Sequence, residues 1–107
     1  MSAGYVRACA LSVLQEDVPK KVELNGVPVA VVRTDEGVFA INDICSHANV
    51  SLSEGEVEDC MIECWLHGSS FDLRTGKPSG LPATRPVAVY PVKIEGDDVL
   101  VSVNQEN

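Results

Sequence analysis

Cys45-Ser46-His47, sixteen intervening residues and Cys64-Trp65-Leu66-His67 form the stretch on which the rest of the sequence turns. Both histidines of the chain and two of its four cysteines fall inside it, each histidine two or three positions after a cysteine. This is metal-ligand spacing. Two short loops, each offering one thiolate and one imidazole, can close on a metal centre from opposite sides if the strands between them bring the loops together.

Two thiolates and two imidazoles could hold a tetrahedral zinc ion, but zinc signatures usually pair cysteine with cysteine and histidine with histidine. Here the types are mixed within each loop, which suits a [2Fe–2S] cluster with both cysteines on one iron and both histidines on the other. The pattern continues through Gly68-Ser69, Phe71-Asp72, Thr75-Gly76 and Gly80-Leu81-Pro82-Ala83, and over most of its length the chain resembles a Rieske iron–sulfur protein. That resemblance implies one Rieske cluster per chain on Cys45, His47, Cys64 and His67. It also implies that the histidine-bound iron faces outward, with Pro82 in a third loop covering the cluster.

Quinol-oxidising members of the family carry an extra cysteine in each ligand loop, joined as a disulfide; Val50 and Leu66 occupy those positions here. The resemblance is therefore to the lower-potential ferredoxin type. Ser69 matches a serine whose hydroxyl donates to a bridging sulfide in high-potential members, and Phe71 stands where those members have a tyrosine. One potential-raising donor is kept and one is lost, so a low to intermediate potential is expected. In the bare sequence Ser69 could equally serve a turn, Trp65 could shield the cluster, pack in the core or dock a partner, and Pro82 could be an ordinary turn proline.

What the chain lacks narrows the function. With both histidines assigned to the cluster, none remains for the 2-His-1-carboxylate iron of an oxygenase. No G-x-G-x-x-G marks a dinucleotide site. The reading is an electron carrier rather than an enzyme, similar to the ferredoxin component of bacterial non-haem iron oxygenase systems. Such a carrier takes electrons from a flavin-containing NAD(P)H reductase and passes them to a terminal oxygenase. The alternative is a Rieske small subunit of a larger redox enzyme, such as an assimilatory nitrite reductase.

The 107 residues are read as a single domain over 1–107, with a cluster-binding subdomain over about 43–84. A net charge of −8 argues against nucleic acid and anionic membranes and for a basic docking surface. No apolar run is long enough to span a bilayer, and Met1-Ser2-Ala3-Gly4 has no signal-peptide character, so a cytoplasmic protein is expected; a monomer is expected because a shuttle has no need to oligomerise. In such a reducing compartment Cys9 and Cys60 are expected as free, buried thiols. The acidic run from Glu54 to Asp59 reads as a solvated hairpin face or as a steering patch for a redox partner.

The remaining segments point to an all-β fold, an antiparallel sandwich or small barrel, as the resemblance also implies. Val6–Val13 reads as an opening strand. Asn25-Gly26 between Lys20–Leu24 and Val27–Thr34 is a type I′ hairpin signal, with Pro28 expected near a strand start. A turn at Asp35–Gly37 leads to a strand over Val38–Ile41. Glu56–Glu58 and Met61–Glu63 form a short hairpin, Phe71–Leu73 a further strand, and Ala88–Ile94 with Val99–Val103 a closing hairpin. Lys77–Pro82 is irregular and Asn104–Asn107 a frayed tail.

Overall fold

The computed structural model describes residues 5–44, 50–65, 70–78 and 86–103. Its backbone follows the turn chemistry closely. Asn25 and Gly26 both take positive φ, 52° and 82°, and link β2 (Lys20–Leu24) to β3 (Val27–Thr34) in the register Leu24↔Val27 to Lys20↔Val31. These are the dihedrals of a type I′ turn, whose twist matches that of the strands it joins. At the next turn the Thr34 hydroxyl accepts the Glu36 N–H at 3.0 Å, and β4 (Gly37–Asn42) returns paired from Thr34↔Gly37 to Val29↔Asn42. Pro28 lies second in β3, where its missing N–H is tolerated. This meander, completed by β8 (Val89–Tyr90), forms a sheet of order β2-β3-β4-β8.

Two further sheets flank it. One has the order β1-β10-β9, from β1 (Tyr5–Ala10), β9 (Val92–Glu95) and β10 (Asp98–Ser102); the other has the order β5-β6-β7, from β5 (Val57–Glu58), β6 (Met61–Glu63) and β7 (Ser70–Asp72). Every strand pairing among the described residues is antiparallel. The only helical turns there are short 3-10 turns over Leu11–Val13 and Leu52–Glu54. The expected all-β antiparallel class is therefore what forms.

β3 explains the layering. Val29, Ala30, Val31 and Val32 are all wholly buried, and successive strand residues point to opposite faces. Val29 and Val31 join Cys9, Leu14, Leu24, Ala40, Val99 and Val101 in one core, shared with the β1-β10-β9 sheet. Ala30 and Val32 join Ile41, Leu52, Val57, Ile62, Phe71 and Leu73 in a second core, shared with the β5-β6-β7 sheet. The meander is the middle layer of three. Each large apolar side chain buried there contributes about 1.5–3 kcal/mol relative to exposure, so neither outer sheet is a loose appendage.

Two strand expectations are corrected. The opening strand stops at Ala10 rather than Val13. The Leu11 N–H donates to the Asp97 carbonyl at 2.7 Å, and the Ser12 N–H and hydroxyl both donate to the Asp97 carboxylate at 3.0 Å, which draws the chain into a 3-10 turn. The strand expected over Ala88–Ile94 is two strands in two sheets. β8 pairs with β4, Pro91 offers no N–H to continue that ladder, and β9 pairs with β10. The Asn104–Asn107 tail and residues 79–82 of the irregular stretch lie outside the described residues.

Candidate metal centre

Of the residues singled out in the sequence, Cys64 and Trp65 are described, while Cys45, His47, His67, Ser69 and Pro82 lie outside the described residues. What is described is the frame from which their three loops spring. Each loop has its two ends fastened to one another, and each is fastened to the next.

The first loop leaves at Ile44 and returns at Ser51, and these two residues form an antiparallel bridge. The Asn42-Asp43 pair secures both arms. The Asn42 side-chain oxygen accepts the Ile44 N–H at 2.9 Å, the Asp43 carbonyl accepts the Leu52 N–H at 2.6 Å, and Asp43 Oδ1 accepts the Ser53 N–H at 2.8 Å. The Asp43 N–H in turn donates to the Pro28 carbonyl at 3.0 Å, so the clamp is anchored in β3. Short polar side chains that bind nearby backbone amides are well suited to this task.

The second loop is the end of a hairpin, leaving after Glu63 and returning at Ser70, which face each other in the β6–β7 ladder. It is joined to the first loop at Gly55. A Cβ added there would run into the Glu63 carbonyl oxygen, so the return arm of the first loop lies directly against the residue preceding Cys64. The Glu63 N–H donates to the Glu56 carbonyl at 2.8 Å and holds this approach.

The third loop leaves after Pro78, which bridges to Phe71, and rejoins at Val87, whose N–H donates to the Gly76 carbonyl at 2.8 Å. Gly76 has φ +76°, and a side chain there would strike the Val87 carbonyl oxygen. Asn42 closes the ring: its N–H donates to the Ala88 carbonyl at 2.9 Å and its side-chain nitrogen to the Tyr90 hydroxyl at 3.0 Å. The three loops thus start from one connected base.

Cys64 stands one residue past β6 at the foot of the second loop, wholly buried beside Leu52, Ile62 and Phe71. Its thiol is in no disulfide. A buried, unpaired thiol at the foot of one loop, with the base of another loop packed against the residue before it, fits one ligand of a cluster gripped from two loops. Cys9 and Cys60 are free and buried, as expected, and burial pushes both thiols above the usual range, which leaves them unreactive. Phe71 is wholly buried in β7. Trp65 is 49% exposed, so of its three readings core packing falls away.

Glu56, Glu58, Asp59, Glu63 and Ser70 line, with Met61, a surface hollow reaching from the β5–β6 turn to both ends of the second loop. A second acidic hollow, lined by Glu16, Asp17, Asp35 and Glu36 with Cys60, shares Asp59 with it. The sequence suggested a ligand pattern and displayed the acidic run, but did not single out Asn42, Asp43, Gly55 or Tyr90. An Asn-Asp pair ending an apolar strand is a readable turn signal; nothing local marks Tyr90, 48 residues from its partner Asn42.

The family model for the Rieske [2Fe-2S] domain matches residues 4–91. The chain is 44% identical over 94 residues to the anthranilate 1,2-dioxygenase ferredoxin subunit of Burkholderia cepacia, covering 88% of this chain and 87% of that one. It superimposes with a TM-score of 0.89 and 39% identity on the ferredoxin of carbazole 1,9a-dioxygenase from Nocardioides aromaticivorans IC177, covering 94% and 98% of the two chains. A chain from the complex of reduced oxygenase and oxidized ferredoxin in carbazole 1,9a-dioxygenase matches with a TM-score of 0.90 and 33% identity, over 97% of each chain.

Proposed function

Since the chain belongs to the Rieske [2Fe-2S] family, and its cofactor is accordingly a Rieske cluster, we propose that Cys45 and Cys64 hold one iron, His47 and His67 the other, and that the electron-carrying protein serves a terminal oxygenase. What carries this reading is the frame around Cys64, which gathers the feet of three loops at one place and encloses the thiol. The cluster supplies a one-electron centre in the range of roughly −150 to +300 mV.

The chain's own residues supply the rest. The Asn42-Asp43 clamp and the Gly55–Glu63 contact hold the two ligand loops in register, limiting reorganisation when the charge changes. The core around Cys64 keeps water from the sulfur side. Without cysteines at 50 and 66 there is no disulfide between the ligand loops, and buried Phe71 has no hydroxyl to donate, so the potential lies in the low to intermediate part of the range, with Ser69 the residue able to raise it. By resemblance to the family, Pro82 would belong to the loop that covers the cluster.

We assign a flavin-containing NAD(P)H reductase as the electron source, and place the carrier in the cytoplasm as a monomeric Rieske domain over 1–107 with its cluster-binding part at about 43–84. Among the described residues no helix is long and apolar enough to cross a membrane. The high identity to a dioxygenase ferredoxin subunit favours this over a small subunit of nitrite reductase. We assign the docking contact to Ala48, Asn49, Leu66 and Pro82 around the histidines, with half-exposed Trp65 of the second ligand loop as a further contact.

The test is iron and acid-labile sulfide analysis with electron paramagnetic resonance, followed by mixing with a reductase and an oxygenase of this class. Equal iron and sulfide, a Rieske-type signal, reduction by NAD(P)H through the reductase and reoxidation by the oxygenase are expected. A colourless zinc protein, or a reduced protein that no such oxygenase reoxidises, would end the reading.

A further inference from the structure

Asp43 is wholly buried, yet only one of its carboxylate oxygens is satisfied. Oδ1 accepts the Ser53 N–H at 2.8 Å, whereas Oδ2 is the buried side-chain oxygen or nitrogen without a hydrogen-bond partner among the described residues. Among the described residues the nearest cation is the Lys21 ammonium at 4.0 Å from Oδ2, beyond hydrogen-bond reach, on a side chain 54% exposed. Lys21 stands on β2, at the edge of the middle sheet, and faces Ala30 of β3. An enclosed carboxylate with an open oxygen is costly, and the clamp at Ser53 could be made by a neutral side chain. The charge itself therefore calls for an explanation.

We propose that Asp43 and Lys21 form a charge pair that tunes the reduction potential, in which buried Asp43 disfavours electron entry and Lys21 partly offsets it from the outside of the sheet. The inference rests on the assignment of Cys45, two residues beyond Asp43, as a ligand. A charge held in a low-dielectric interior acts over longer distances than one in water, and reduction adds a negative charge at the centre. Asp43 thereby stabilises the oxidised state and Lys21 the reduced one. Because Lys21 stands on the edge strand β2, outside the three loops, the potential can be tuned without altering the loop frame.

The test is the reduction potential of the cluster-loaded protein by voltammetry, with the electron paramagnetic resonance signal and thermal midpoint recorded for each variant. Lys21→Gln leaves the loop frame intact and is expected to lower the potential by about 20–30 mV, a two- to threefold change in the electron-exchange equilibrium at 59 mV per tenfold. Lys21→Arg is expected to restore it. Asp43→Asn, which keeps an oxygen for Ser53, is expected to raise the potential, and the double variant to lie between the two. Since Lys21 is half-exposed, its effect shrinks as salt is added.

An unchanged potential in Lys21→Gln, with a normal signal, overturns the inference while leaving the ligand assignment standing. A lowered potential in Asp43→Asn does the same. If Asp43→Asn fails to load a cluster, the Lys21 pair of variants decides alone. The ligand assignment fails separately: Cys45→Ser with an unaltered signal would remove it.

Discussion

At the scale of single residues, the site depends on side chains that are absent as much as on those that are present. Gly55 lies so close to the Glu63 carbonyl that a methyl group has no room, and relief requires moving one loop base away from the other. Gly55→Ala is expected to cost about 1–3 kcal/mol, the range for forcing extra atoms into a packed site. The check is the urea midpoint, read together with the visible absorbance of the cluster. Loss of colour at a denaturant concentration below the unfolding midpoint would show that the loop bases separate first. A stable Gly55→Ala protein with full absorbance would mean that the contact is not needed to align the loops.

At the scale of elements, the sheets are joined by few polar ties outside the cores. Arg74, just after β7, binds Asp72 through Nε at 3.1 Å and reaches Glu36 in the β3–β4 turn at 3.2 Å, linking the β5-β6-β7 sheet to the meander. The Arg74 guanidinium holds the Asp72 carboxyl below its ordinary range. A carboxylate whose folded pKa is depressed contributes stability that is fully present above its unfolded value, about 3.9, and is lost as the pH falls through the folded value. Arg74→Gln is thus expected to lower the thermal midpoint near neutral pH by no more than a few degrees, since the pair is largely solvent-exposed. The difference from the native protein should close as the pH is taken below about 4. A gap that stays constant with pH would assign the loss to packing by the arginine stem instead.

At the scale of the whole molecule, a net charge of −8 is not spread evenly. Eight carboxylates line the two adjoining hollows, one of which opens beside the second ligand loop. A shuttle must leave each partner quickly, and electron-transfer interfaces are accordingly small, below about 1,200 Å². Long-range attraction then raises the encounter rate without strengthening the bound state. Reversing charge at Glu56 and Glu58 together is expected to slow reduction by the proposed reductase roughly tenfold at low ionic strength and to flatten its salt dependence. Stopped-flow traces across a salt series measure both. Equal rates for the variant and native proteins at every salt concentration would remove this face from the encounter.

The sequence by itself determined the all-β class and the Asn25-Gly26 hairpin and pointed to the proposed ligand pattern, because each is written in neighbouring residues: frequent turn signals, two residues that tolerate positive φ, and thiolate and imidazole at fixed spacing. Only the tertiary structure decided the rest. Val29–Val32 is a uniform apolar run, and that its alternate residues serve two different cores follows from sheets packing on both faces of β3. The break at Ala10 depends on Asp97, distant in sequence, and the break at Pro91, marked locally by its missing N–H, becomes a change of sheet only through the pairing of β8 with β4 and β9 with β10. The clamp of Asn42, Asp43, Gly55 and Tyr90 joins residues up to 48 positions apart. Such contacts exist only once the chain has closed on itself, because their hydrogen bonds and close approaches are specified by the packing of whole sheets.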